Sequence, residues 1–376
     1  MYQRRKLNLS ILIPICLLAI VSIITIYSAQ AFIPKTNGNL ALKQSIWYLV
    51  GSILVVILIK LKNEYLYKNT WILYAFGNVL LLLLLFFGSE INNSKCWFVI
   101  PGIGSFQPSE FMKIFLMLTL ASMIHNFRMK YTSPTIKEEF IFILKTLLVV
   151  LIPSILTFLQ PDTGCVIIYL VIYIAMMFTS GIRLRWFIIG ITILILGVSS
   201  ILGLYFLKEK LFIKLFGTNL FYRFNRIFDW KSGSGLQLEN AMAAIGSAGV
   251  FGHGFNKTPI YFPEAGTDFI FAVFASNFGL LGSFLLISLI VFFDTKIVML
   301  AQKKINDTDR YVLIGVVAML LFQQVQNIGM TIGLLPITGI TLPFISYGGS
   351  SLLSYMIIVG MLLNISMEKP KKYKYK

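Results

Sequence analysis

Long apolar runs alternate with short polar breaks along almost the whole chain. A helix that crosses a bilayer needs about 20 mostly apolar residues. On that rule the pattern predicts ten helices, at about residues 8–30, 43–62, 70–89, 108–126, 139–159, 163–181, 185–206, 267–293, 311–332 and 348–366. The expected fold class is an all-α polytopic membrane protein, with a long extracellular loop, residues 207–266, between helices seven and eight. No ten-residue segments of alternating polarity suggest a membrane barrel. Basic residues precede the first run, but that run is too long for a signal peptide and Tyr27–Gln30 is a poor cleavage site. It is expected to stay as helix one. The ninth run is interrupted by Gln323, Gln324, Gln326 and Asn327, which must face other helices or a wet cavity.

Composition agrees with the pattern: 57% of residues are hydrophobic and 12% charged. The formal charge of +17 raises nucleic acid as a partner, but its placement argues against it. Lys and Arg crowd into alternate short loops, with Arg4, Arg5, Lys60, Lys62, Arg128, Lys130, Arg183 and Arg185 on one side and only Lys35, Lys43 and Lys95 on the other. That asymmetry sets topology and attracts membrane lipids of an anionic leaflet. It puts both termini in the cytoplasm and the motif-rich loops outside. Three scattered cysteines and two histidines offer no zinc spacing, and no Walker loop, GxSxG or HExxH is present.

Chemistry is concentrated at the outer boundary. In Pro259–Ala272 (PIYFPEAGTDFIFA), Glu264 and Asp268 stand where the long loop meets an apolar run, in a chain with only 15 acidic residues. Ionisable groups near a bilayer mark function by default; the plainer alternative is that Thr267 or Asp268 caps the next helix. Glu110 and Lys113 sit at i, i+3 behind Pro108, as an intrahelical ion pair or as a polar pair facing a cavity. Asp162 in QPDTG caps a helix or joins a site. Arg223 and Arg226 suit a diphosphate, or lipid headgroups. Leu207–Phe216 is amphipathic, and Ala241–Val250, broken by glycines, is expected to dip into the membrane without crossing. Gly333–Ser351 (GLLPITGITLPFISYGGSS) reads as an ordered re-entrant loop or a broken helix. Glu110, Lys113, Asp162, Arg223, Arg226 and Asp268 are expected to line one cavity open to the outer leaflet.

The motifs WFVIPGIGSFQPSE, QPDTG, AIGSAGVFGHG, FPEAGTDFIFA and NIGMTIGLLPITGITLPFISYGGSS, in this order, resemble the SEDS family (shape, elongation, division and sporulation) of bacterial cell-wall proteins. The resemblance covers Leu9 to Ser366, and NIGMTIGL favours its rod-shape branch over the division branch. It implies a ten-helix peptidoglycan glycosyltransferase of the cytoplasmic membrane that polymerises lipid II, the disaccharide-pentapeptide on undecaprenyl diphosphate. A class B penicillin-binding protein is the implied partner, and Asp268 matches the aspartate of the family's TDF motif. Glu110, Lys113, Asp162, Arg223, Arg226, Glu264, Ser346 and Tyr347 are the candidate substrate contacts. Arginines, or a divalent cation such as magnesium or manganese, would stabilise the leaving diphosphate. The chain departs from the family at Cys96, Gly266, Ser276–Gly279, Leu236–Ala241 and Thr341, with Lys95 as a stand-in for a missing arginine. Two other roles stay open: a lipid II flippase, or a non-catalytic scaffold for the penicillin-binding protein.

Overall fold

The computed structural model describes residues 7–32, 38–91, 94–100, 104–218, 221–222, 235–303 and 306–367. Its long helices are α1 (Leu9–Ala29), α2 (Leu40–Leu61), α4 (Thr70–Phe87), α5 (Pro108–Lys130), α6 (Ile136–Leu159), α7 (Thr163–Thr179), α8 (Leu184–Leu207), α11 (Ile270–Gln302), α12 (Asp307–Thr331) and α13 (Gly349–Met367). Short helices α3 (Asn63–Lys68), α9 (Glu209–Phe216) and α10 (Gly235–Gly246) join or flank them. Every predicted run is therefore helical. Among the described residues eight helices are long and apolar enough to cross a membrane. The two that fall short are α5, which carries Glu110 and Lys113, and α7, which has 17 residues.

Local chemistry sets the boundaries. Asn39 accepts from Leu42 N at 2.9 Å to start α2, and Thr135 with Glu138 forms a reciprocal capping box on α6. Proline at the first position of α5 costs no hydrogen bond there. The bundle is graded from inside to outside. α13 buries most of its length and α5 nearly as much, whereas α8 has no buried residue at all. Its first turns lean on α6 and α7, Trp186 stacking on Phe140 and Phe187 meeting the edge of Phe178, while the rest is apolar on all faces, as suits a helix set in lipid.

Three expectations change. Residues 89–106 are not a plain loop: β1 (Ser89–Ile91), β2 (Ser94–Ile100) and β3 (Gly104–Phe106) make a small antiparallel sheet with β2 in the middle. Residues 241–246 belong to α10 and are helical, so the non-helical stretch begins only at Ser247. The eighth run is not one span from residue 267. α11 is broken at Gly279 (φ 64°, ψ −162°).

The break is a reversal. Asp268 O accepts from Asn327 Nδ2 at 2.8 Å, and Asp294 Oδ1 accepts from Gln324 Nε2 at 3.3 Å. Gln324 and Asn327 are one turn apart on α12, about 5 Å. A straight helix would put Asp268 and Asp294 roughly 39 Å apart. Both can reach one turn of α12 only if Ile270–Phe278 folds back against Leu280–Gln302. The second part alone is roughly 34 Å long, enough to span. The first is a plug, buried at every residue from Ile270 to Asn277. Breaking a helix frees backbone groups, and here the dip supplies their partners. Leu280 N and Leu281 N donate to Gly249 O and Val250 O, while His253 N and Gly254 N donate to Ser276 O and Asn277 O.

Gly279 is thus locked by backbone on both sides. An added Cβ would meet Gly252 N at 2.3 Å and Val250 O at 2.5 Å, and its φ is positive. Gly203 on α8 has nothing within 4 Å. Gly279→Ala is expected to cost about 2–3 kcal/mol or more. Thermal melting in detergent should show a clearly lowered transition for Gly279→Ala and an unchanged one for Gly203→Ala.

Candidate functional site

Asp268 lies in the turn that feeds the plug. Glu264 starts the turn in the left-handed region (φ 53°), and its carbonyl accepts from Thr267 N at 3.2 Å and Phe269 N at 3.0 Å. The exposed Glu264 carboxylate takes the Thr267 hydroxyl at 2.6 Å, so it serves its own turn. From α10, Gln237 and Asn240 donate to the carbonyls of Pro263 and Tyr261. The helix begins behind Phe269 without a side-chain cap, so neither Thr267 nor Asp268 is the expected capping residue.

Three consecutive carbonyls of this turn are held from outside it. Gly266 O accepts from Tyr347 N at 2.8 Å, Thr267 O from Ser346 Oγ at 2.7 Å, and Asp268 O from Asn327 Nδ2 at 2.8 Å. The half-buried Asp268 carboxylate sits by Gly339, where an added Cβ would lie 3.6 Å from its Oδ2.

Two of these donors come from residues 333–348, which are non-helical as expected and ordered by their own partners. Gln326 and Asn327 of α12 donate to the carbonyls of Pro336 and Ile340, both at 2.8 Å. Ser22 of α1 donates to Ile345 O at 2.8 Å, Gln44 of α2 to Ser346 O at 3.3 Å, and Tyr48 to Phe344 O. Ser346 also accepts from Leu342 N at 2.9 Å. Its buried hydroxyl is thus committed to backbone and not to a ligand. Tyr347 is half-buried, and desolvation pushes its phenol up, leaving a neutral donor.

The far side of the same loop meets the second polar cluster. A Cβ on Gly164 would come within 3.0 Å of Ile340 Cγ1 and 3.3 Å of Thr338 O. Residues 338–340 therefore separate Asp268 from the QPDTG turn. Asp162 does cap α7, accepting from Cys165 N at 3.1 Å, but its other oxygen takes Ser109 Oγ at 2.9 Å and Gln107 Nε2 at 3.0 Å. Next to Ser109, Glu110 and Lys113 close an ion pair at 2.7 Å, with Lys113 0% exposed. Cys165 and Ser354 border Glu110, the Tyr355 ring lies 5.4 Å from Lys113 Nζ, and Gln323 donates to the Tyr355 hydroxyl at 2.9 Å.

Glu110, Lys113 and Asp162 are thus one contiguous cluster, joined to Asp268 through residues 338–340. Arg223 and Arg226 lie outside the described residues. Cys96, expected from the resemblance to replace an arginine, donates its thiol to Gln160 O at 2.8 Å; burial, then the Asp162 charge, push that thiol far up. It supplies no cation, and Lys95 beside it is exposed. Among the described residues no group of three or more His, Cys, Asp or Glu could hold a metal ion.

The family of cell cycle proteins FtsW/RodA/SpoVE matches residues 8–371. This chain belongs to the FtsW/RodA/SpoVE family. Among its relatives, the "Probable peptidoglycan glycosyltransferase FtsW" of Coxiella burnetii is 34% identical over 79% of this chain and 78% of that protein. "Stage V sporulation protein E" of Bacillus subtilis is 30% identical over 96% of each. Among solved structures, a chain from "Structural coordination of polymerization and crosslinking by a peptidoglycan synthase complex" superposes with a TM-score of 0.78 at 25% identity, covering 96% of this chain and 97% of that one. The rod shape determining protein RodA of Thermus thermophilus gives 0.68 at 26% identity, covering 96% of each. The chain is thus a multi-pass, predominantly α-helical membrane protein.

The buried ion pair makes a testable point about its own energetics. Removing one partner strands a charge, at about 3–5 kcal/mol, whereas replacing both is far milder. Lys113→Met should lower the melting transition sharply, and Glu110→Gln with Lys113→Met should recover most of the loss. Equal melting of the single and double variants would contradict the pairing.

Proposed function

We propose that this protein is a peptidoglycan glycosyltransferase that polymerises lipid II at the outer face of the cytoplasmic membrane, with Asp268 as general base. The observation that carries the reading is the Asp268 turn. Its backbone is held by separate elements on three consecutive carbonyls, and its carboxylate stands beside Gly339 of the 333–348 loop. The names of the relatives support the reaction class.

In the step proposed, Asp268 takes the proton from the acceptor sugar's hydroxyl. The freed oxygen bonds to the donor's anomeric carbon as the bond to the diphosphate breaks, and undecaprenyl diphosphate leaves. A placed carboxylate contributes about 10²–10⁴-fold to such a step. Arg223 and Arg226 supply positive charge to the leaving group in this scheme. The cluster of Asp162, Glu110 and Lys113 keeps the neighbouring loop in register and does not transfer protons, since each charge already has a partner.

A class B penicillin-binding protein is the proposed partner, in keeping with the peptidoglycan synthase complex that contains a chain of this fold. Assignment to the rod-shape branch rests on NIGMTIGL. Relatives named FtsW and solved RodA chains match alike over most of the length, and the reaction proposed is common to both branches. Both termini are placed in the cytoplasm, with residues 207–266 outside.

Asp268→Asn preserves size and shape and leaves the three carbonyl contacts of the turn available. The purified variant is expected to melt normally, keep its partner, and polymerise lipid II at least about 10²-fold more slowly. Near-normal polymerisation by the folded variant would remove Asp268 as base. Lipid II transport into liposomes without polymer from either protein would point to a flippase. For topology, cysteine at exposed Lys257 should react with an impermeant thiol reagent in intact cells and cysteine at Lys130 should not; the reverse pattern would invert the orientation.

A further inference from the structure

Asn327 is a fully buried amide one turn from the C-terminal end of α12, and both hydrogens of its nitrogen are used. One goes to Asp268 O and the other to Ile340 O, each at 2.8 Å, on two segments far apart in sequence. Its own oxygen, Oδ1, is buried without a hydrogen-bond partner. The orientation of the amide is therefore not arbitrary. Turned over, the oxygen would face two carbonyl oxygens and both contacts would be lost. An orphaned buried acceptor is a cost to the fold, and leucine of similar size would avoid it. What leucine could not do is hold the two carbonyls.

Ser346 acts on the adjacent rung. It donates to Thr267 O and accepts from Leu342 N, so it ties the Asp268 turn to the same loop that Asn327 ties at Ile340. Between them the two side chains fix the turn in two directions, toward α12 and toward residues 338–346. Neither reaches the Asp268 carboxylate in these contacts, and neither carries a charge.

We infer that Asn327 and Ser346 are positioning residues for the reaction, setting where the Asp268 carboxylate stands through the backbone of its turn. This rests on the reading of Asp268 as base. The two side chains do not touch substrate, so their loss acts on turnover and not on lipid II binding. A misplacement of about 1 Å at a reacting group costs around 10²-fold in rate.

The experiment compares Asn327→Leu, Ser346→Ala and Ser346→Thr with the wild type, as full-length protein with its partner. It measures kcat and KM for lipid II, and hydrogen–deuterium exchange of the peptide covering residues 264–270. The expected result for Asn327→Leu is kcat down about 10²-fold with KM within about 3-fold, and faster exchange confined to that peptide. Ser346→Ala should follow in the same direction by less, and Ser346→Thr, which keeps the hydroxyl, should recover. If Asn327→Leu does not fold, the alanine and threonine pair at Ser346 carries the test alone. Unchanged exchange in 264–270, or faster exchange with unchanged kcat, overturns the positioning role. A wild-type protein that makes no glycan while its 264–270 peptide is protected overturns the glycosyltransferase reading instead, and the catalytic part of this inference with it.

Discussion

Water is absent from the middle of a membrane, so a backbone that leaves the helix there must find every partner within the protein. That constraint organises this molecule. Asp268 stands on a non-helical turn level with Asn327, about 6 Å short of the end of α12. The turn, the 333–348 loop and the break at Gly279 all expose peptide groups. Each is met by a donor or acceptor from a different part of the chain: Ser22, Gln44, Asn327 and Tyr347, and the 249–254 dip. The site is built of irregular backbone, and the surrounding helices serve it.

The amides of α12 show how the work is divided. Gln323, Gln324, Gln326 and Asn327 lie within two turns, yet they reach α13, α11, Pro336 and the Asp268 turn respectively. Hydrogen bonds between side chains in membranes average only about 0.6 kcal/mol, so none of them stabilises the fold by much. Their effect is on choice of arrangement. A shifted α12 would orphan several buried groups together, each at about 1–3 kcal/mol. Small energies of making and larger energies of breaking keep one register among many that apolar packing alone would accept.

Much of this was legible in the sequence. Apolar run length found every long helix, because in a bilayer length and hydropathy are nearly the whole requirement. Proline and glycine density marked 333–348 as irregular. Asp268 drew notice first as an acid at a membrane boundary and then through the motif resemblance, and the polar interruption of helix nine was visible though its purpose was not. What stayed hidden depends on direction in space. Ile270–Phe278 is as apolar as a span, so the pattern ran it into Leu280–Gln302; only the contacts of Asp268 and Asp294 with one turn of α12 expose the reversal. The sheet at 89–106 has strands of three to seven residues, too short for alternation to register. Ser346 entered as a candidate substrate contact through the resemblance, and sequence carries no sign of which way a serine hydroxyl points. Its hydroxyl turned out to face the backbone.

The order of the chain gives the Asp268 turn a history. Its partners lie 59 residues further on at Asn327 and 79 further on from Thr267 at Ser346. As the chain leaves the ribosome, the TDF segment is in place well before the partners of its three carbonyls exist. The turn can be set only after α12 has inserted and the following loop has reached back to meet α1 and α2. The turn is therefore completed only when the last helices arrive, and a chain that stops early leaves its Asp268 carboxylate unset.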